Sequence, residues 1–219
     1  MIRIFDIIFS SFALLIISPL FIPICLILRF TGEGEIFYLQ SRVGINGKKF
    51  NIIKFATMLR DSPNMQNAYI TTRNDPRVLP FGNFLRKYKI NELPQIINIL
   101  IGDISIVGPR PQVQSHLDLY PKESLDEILE LKPGLTGIAS IFFRDEEELI
   151  SRSELDSKDF YGKYIVPYKV ELELWYKKNK NIRLYFVIIF VTFLAVLKSK
   201  NEFHKLFKGL PTPPKELLF

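Results

Sequence analysis

One stretch constrains this chain more than any other. From Ile7 to Leu28 the sequence IIFSSFALLIISPLFIPICLIL contains no charged residue. That is about 22 residues, or roughly 33 Å as a straight helix, enough to cross the hydrocarbon core of a bilayer. A secretory signal has a shorter apolar region and a small-residue cleavage site, so a retained anchor is the expectation. Two prolines interrupt the block: Pro19, directly after Ser18, and Pro23. Proline removes a backbone donor and crowds the preceding turn. The residues therefore admit a kinked span or a re-entrant hairpin that enters and leaves on one face. Arg3 and Arg29, one at each end, do not separate the two, and on physical grounds alone the span has the edge.

The remainder does not read as a polytopic membrane protein. Hydrophobic residues at 47% and charged residues at 24% lie near the globular average, and 219 residues suffice for one domain with a core. The formal net charge of +6 points to an anionic partner: phospholipid head groups, a phosphorylated substrate or nucleic acid. No zinc-finger spacing and no recognition-helix signature supports nucleic acid. Cys25, the only cysteine, lies within the apolar block, so no intramolecular disulfide forms. It reads as a buried structural residue.

After Arg29, short apolar runs alternate with polar residues. The Asn46-Gly47 pair in INGKKF is a turn signal and predicts a small hairpin ending near Lys54. A polar loop follows from Asp61 to Asn67. Asn91 then stands in N-cap position before an apolar-periodic stretch, with Pro94 in the first turn. Ile96, Ile97, Ile99 and Leu100 make a helical apolar face that ends at Gly102. Arg86, Lys87 and Lys89 sit just upstream, and with the helix start they make a candidate anion site. The plainer readings are a good cap for Asn91 and a dipole-favoured first-turn acid for Glu92. In VGPRP, Pro109 and Pro111 fix the backbone around Arg110, and a rigid arginine suits bidentate phosphate recognition.

The run LRKYKINELPQIINILIGDISIVGPRP resembles the signature of the bacterial sugar transferases, the monotopic phosphoglycosyl transferases. QSRVGINGKKFNIIKFATM upstream, with KPGLTGIASI and ELELWYKKN downstream, is similar to that family in the same order. The resemblance covers nearly the whole chain. It implies that a sugar phosphate passes from a UDP-sugar to undecaprenyl phosphate, with release of UMP, as the first membrane step of surface polysaccharide or glycoconjugate synthesis. It further implies a magnesium cofactor, contact with membrane lipid and a catalytic body on the cytoplasmic face of the bacterial inner membrane. In such proteins an aspartate of an Asp-Glu pair attacks the β-phosphate, and the lipid phosphate resolves the covalent phosphosugar. The family also implies a re-entrant helix broken at a Ser-Pro pair. Ser18-Pro19 matches it, which overturns the preference for a span. The fold expected is α+β, mainly helical with a small β-hairpin, the re-entrant membrane helix and interfacial helices. Its parts are residues 1–30 as membrane helix, 31–200 as transferase domain and 201–219 as an irregular tail. A homodimer is left open.

The sequence departs from the family at the nucleophile, where Asn91 stands for aspartate. A carboxamide is a poor nucleophile and a weaker magnesium ligand than a carboxylate. Glu92 matches the second acid. Three readings stay open: Glu92 attacks, the lipid phosphate attacks directly, or the protein is a silent member serving as partner or scaffold subunit. Ala56 replaces a common arginine, and Glu173 a common aspartate. Lys54, Arg110, Arg144 and Lys169 match positions expected to line the active cleft, and Arg86 joins them as a phosphate-binding candidate. No metal ligand set is assigned. Near the C-terminus, Leu184–Leu197 is uncharged over about 14 residues, too short to span at 1.5 Å per residue. It reads as a buried or interfacial helix, with Lys178, Lys180, Arg183, Lys198 and Lys200 as basic flanks facing anionic head groups.

Overall fold

The computed structural model describes residues 1–65, 75–197 and 206–217. In it the uncharged block lies inside one helix, α1 (Ile2–Phe30), long and apolar enough to cross a membrane. The break expected at Ser18-Pro19 does not interrupt the helix. Pro19 cannot donate to the Leu15 carbonyl, and the Ser18 hydroxyl donates there instead at 3.0 Å. The freed acceptor is thereby satisfied locally, and the helix continues through the proline. Burial within α1 is confined to its two ends, at Asp6 and Ser10 and again at Ile24 and Leu28.

The chain divides into two compact units. One comprises Ile4–Ser41 and Asn51–Gly102; the other comprises Met1–Arg3, Arg42–Phe50 and Asp103–Phe219. We call them the N-terminal and C-terminal units. The expected hairpin is present as β1 (Phe37–Val43) and β2 (Lys49–Phe55). Asn46 and Gly47 both take positive φ, 53° and 74°, as an Asn-Gly hairpin turn requires.

In the N-terminal unit, Ile24 and Leu28 of α1 pack with Phe55 and Leu85, and Cys25 lies against the same cluster. Phe21 meets the Phe55 ring edge-on at 5.2 Å, and Phe37 stacks on it at 5.6 Å. Helix α2 (Pro80–Lys87) opens on a proline in its first turn. Gly82 passes so close to the 57 backbone that an added Cβ would lie 2.3 Å from the Thr57 carbonyl oxygen. The chain then turns at Lys89, whose φ is 57°, into a single 3-10 turn, Ile90–Glu92, and on to α3 (Gln95–Ile101). Gly102 ends α3 with φ 97°, as the sequence predicted.

Asn91 is not the N-cap expected of it. It lies inside the 3-10 turn, and no side chain caps either this turn or α3. The reason is the left-handed Lys89, which turns the chain into helical geometry two residues early. The buried face of α3 also differs from a purely apolar one: Gln95 and Asn98 are buried beside Ile96 and Ile99.

In the C-terminal unit, β3 (Ser105–Val107) pairs in parallel with β4 (Gly134–Thr136), Ser105 opposite Gly134 and Val107 opposite Thr136. Around them run the helices α4 (Gln114–Leu117), α5 (Lys122–Leu129), α6 (Ile138–Phe142), α7 (Glu146–Arg152), α8 (Ser157–Phe160), α9 (Val166–Asn179) and α10 (Ile182–Leu197). A π-helical turn, Tyr161–Ile165, joins α8 to α9 without a break. The core holds Val43, Leu117, Tyr120, Ile128, Val166 and Val170. Helix α10 buries Tyr185, Ile188, Val191 and Ala195 while leaving Phe186, Phe190 and Phe193 exposed. It is therefore half-buried, with one face in the core. Among the described residues of the proline-rich tail, 206–217, a 3-10 turn forms at Lys215–Leu217. The tail is packed, with Phe207 edge-on to Trp175 and the Pro211 carbonyl accepting from the Tyr168 hydroxyl at 2.9 Å. Lys198, Lys200 and the end of the Asp61–Asn67 loop lie outside the described residues.

Candidate active site

Lys54 on β2 and Glu92 in the 3-10 turn are 38 positions apart in sequence (92 − 54) yet meet in the N-terminal unit, Nζ to Oε1 at 4.0 Å. One residue explains the meeting. The buried Asn98 on α3 accepts a hydrogen bond from the Ile53 amide at 2.9 Å and donates to the Asn51 carbonyl at 2.8 Å. Its carboxamide fills backbone positions on β2, and so locks α3 and the turn before it beside Lys54. A lone asparagine within an apolar helical face is the signal that would have found it. At 4.0 Å the Lys54–Glu92 contact is Coulombic rather than a hydrogen bond. Lys54 also donates to Gln40 of β1 at 3.3 Å, a partner no sequence pattern flagged. The side chains of Lys54 and Glu92 are 15% and 19% exposed, so a ligand reaches a pair that bulk water screens only in part.

Beside them lie two buried carboxamide atoms with no hydrogen-bond partner, Asn91 Oδ1 and Gln95 Nε2. A buried polar atom left unpaired costs about 1–3 kcal/mol, so both atoms are available to hydrogen-bond or coordinate a bound group beside Glu92. Among the described residues no three histidine, cysteine or acidic side chains gather as a metal site. Magnesium, however, takes one or two carboxylates and completes its shell with substrate phosphates and water. Glu92 with the unpaired Asn91 Oδ1 fits such a shared site, less strongly than two carboxylates.

Arg86, on α2 of the same unit, adds its charge to the field around Asp75. The hydrogen bond from Arg77, opposed by burial and supplemented by the Arg77 and Arg86 charges, holds the Asp75 carboxyl at about 2. Arg77 grips Asp75 through Nη2 at 2.6 Å and reaches the Ser62 carbonyl through Nη1 at 3.4 Å. This buried fork is structural.

The other three candidates belong to the C-terminal unit. Arg110 is exposed between the buried Pro109 and Pro111, as the VGPRP motif suggested. Gly134 donates from its amide to the Pro109 carbonyl at 2.8 Å, which pins the motif to β4. Arg144 is exposed in the connection between α6 and α7. Lys169, on α9, is buried and ion-paired to Glu146 at 2.5 Å.

Glu173, one turn beyond Lys169, is buried with Oε2 unpaired. Burial pushes its carboxyl up to about 8, with Lys169 opposing, so it is neutral at pH 7. In the unfolded chain a glutamate titrates near 4.3. Below that pH the proton is bound in both states and no penalty arises. As pH rises, the unfolded chain releases the proton first, so stability falls until about pH 8 and levels off above it. Glu173→Gln is therefore expected to melt close to wild type at pH 5 and above it at pH 8. A melting-temperature difference that stays constant from pH 5 to pH 8 would refute the neutral carboxyl.

The sequence matches the family model described as bacterial sugar transferase over residues 1–199. It is similar to the exopolysaccharide production protein ExoY of Rhizobium meliloti, at 34% identity covering 92% of this chain and 87% of the relative. It also resembles the undecaprenyl-phosphate glucose phosphotransferase of Komagataeibacter xylinus, at 34% identity with 92% of this chain and 36% of that protein covered. The UDP-glucose:undecaprenyl-phosphate glucose-1-phosphate transferase of Escherichia coli is 35% identical, with 90% of this chain and 40% of that protein covered. The chain thus spans most of the first relative and less than half of the other two.

Proposed function

This chain belongs to the bacterial sugar transferase family, and from that premise we propose that it moves a sugar phosphate from a UDP-sugar to undecaprenyl phosphate, releasing UMP. The step opens the membrane stage of a surface polysaccharide or glycoconjugate. The reading rests on the family likeness, which takes in every candidate residue from Lys54 to Lys169. In the reaction a new bond forms to the β-phosphorus of the donor, the bond to the bridging oxygen breaks, and the electron pair leaves with UMP. Glu92 supplies the carboxylate chemistry, and Asn91 supplies a neutral oxygen. Lys54 offsets charge beside Glu92, and Arg110 and Arg144 are exposed cations for the donor phosphates. Magnesium, held by Glu92 and Asn91, would neutralise negative charge on the donor diphosphate and on the departing UMP. Release of UMP from a panel of UDP-sugars with undecaprenyl phosphate tests the activity. No release from any donor would favour the second reading, a silent partner subunit, to which the carboxamide at position 91 points.

The exposure pattern of α1 supports a re-entrant membrane arrangement. Its ends are buried against protein and its middle, with Phe12, Leu15, Ile16 and Ile22, is exposed. Lipid around the middle and protein at both ends suit a helix bent at its prolines, dipping into the inner leaflet and returning to the cytoplasmic face. The exposed Phe186, Phe190 and Phe193 of α10 suit the interface, with Lys178, Lys180 and Arg183 near the head groups. Cysteines placed at residue 1 and in the body are expected to resist an impermeant thiol reagent alike in intact cells. Labelling at residue 1 alone would require a span.

A further inference from the structure

We propose that Lys169 is a positioning residue that holds the turn bearing Arg144, and not itself a ligand of the donor phosphate. The proposal rests on the reading above, in which Arg144 meets that phosphate. The Lys169 ammonium makes three contacts within the C-terminal unit. It pairs with Glu146 Oε2 at 2.5 Å, lies 5.2 Å from the centre of the Phe143 ring and 5.0 Å from that of Tyr161. Phe143 and Glu146 bracket Arg144 in the short connection between α6 and α7. The neighbouring α9 residue, Tyr168, meets Phe142 and Phe143 edge-on at 4.8 and 6.0 Å. One turn of α9 therefore grips both sides of the connection, and Arg144 is exposed within it, beside the exposed Asp145.

The electrostatics assign the ammonium to Glu146. Lys169 is only 8% exposed, and a buried ammonium needs a paired anion. Glu173 faces the same region but burial keeps it protonated at neutral pH, leaving Glu146 as the carboxylate partner. Two aromatic faces complete the surroundings of the cation. A lysine so enclosed acts through the backbone it anchors. An exposed arginine on a short connection loses rate steeply when that connection drifts, because a misplacement of about 1 Å can cost on the order of a hundredfold.

The test uses the full chain in lipid nanodiscs, as wild type, Lys169→Met, Lys169→Arg, Glu146→Gln, Arg144→Ala and the double variant Lys169→Met/Arg144→Ala. Backbone hydrogen exchange over residues 143–152 needs no activity. It is expected to speed up roughly tenfold or more in Lys169→Met and Glu146→Gln, and less in Lys169→Arg. In the UMP assay, Lys169→Met should raise the donor KM about as far as Arg144→Ala does, and add little on top of it. Losses that multiply in the double variant, with exchange unchanged, would overturn the proposal and make Lys169 a direct ligand. If Lys169→Met fails to fold, Glu146→Gln breaks the same pair from the other side, and unchanged exchange there overturns the proposal equally. A wild type that releases no UMP fails the functional reading, while the exchange pattern still decides the role of Lys169.

Discussion

Glu92→Gln is expected to abolish UMP release. The substitution keeps the shape and hydrogen-bonding capacity of the side chain and removes only the charge. That charge is the single carboxylate of the Asn91-Glu92 pair, and Lys54 stands 4.0 Å from it. Losing a nucleophile or general base typically costs on the order of two to four decades in rate or more. Asn91→Asp should act in the opposite sense. Position 91 is buried and its Oδ1 has no partner, so an aspartate there is an uncompensated buried charge until a cation meets it. The variant is therefore expected to be less stable than wild type without magnesium, to gain more melting temperature on adding it, and to release UMP faster in its presence. A silent paralogue gives no UMP in wild type and no change on Glu92→Gln. Clear wild-type activity that survives Glu92→Gln would defeat the mechanism, since the chemistry would have to reside elsewhere. Acid quench during turnover separates the remaining routes: phosphosugar attached to Glu92 marks covalent catalysis, and its absence marks direct attack by the lipid phosphate.

Gly134→Ala should prevent folding of the C-terminal unit. A Cβ at Gly134 would lie 2.1 Å from the Gly108 nitrogen and 2.6 Å from the Val107 carbonyl carbon. Those atoms are backbone in a hydrogen-bonded strand pair and have nowhere to move. Reciprocally, a Cβ at Gly108 would lie 2.3 Å from the Lys132 carbonyl oxygen, and one at Gly137 2.3 Å from the Gly108 oxygen. Three glycines thus let VGPRP and KPGLTG pass at contact distance. Ordinary overpacking costs about 1–3 kcal/mol, and a clash between two backbones exceeds it. Because the Gly134 amide also holds the Pro109 carbonyl, any residual folded protein should misplace Arg110 and lose activity. Gly162→Ala is the control, since nothing lies within 4 Å of its added Cβ. Thermal melts in detergent should leave Gly162→Ala near wild type and show no cooperative transition for Gly134→Ala. A normal melt for Gly134→Ala would mean that the two strands are not in this register.

What the sequence determined by itself was mostly local or compositional. The uncharged run Ile7–Leu28 dictated a long apolar helix, Asn46-Gly47 a tight hairpin turn and Gly102 a helix end, because each depends on side chains and φ angles within a few residues. The order of motifs along the chain was enough to identify the family. Only the tertiary structure decided what depends on partners far away in sequence. It carried α1 through Pro19, because the Ser18 hydroxyl satisfies the carbonyl that the proline leaves free. It moved Asn91 out of the cap and into a buried turn, because Lys89 adopts a left-handed conformation that propensity does not foretell. It brought Lys54 to Glu92 through Asn98, a residue legible beforehand only as a polar interruption of an apolar face. It also enclosed Lys169, which the family resemblance had put among the phosphate-binding candidates, between Glu146 and two aromatic rings. Charge at a position can be read from sequence, but which side chains surround that charge is set by the packing of residues that the sequence leaves far apart.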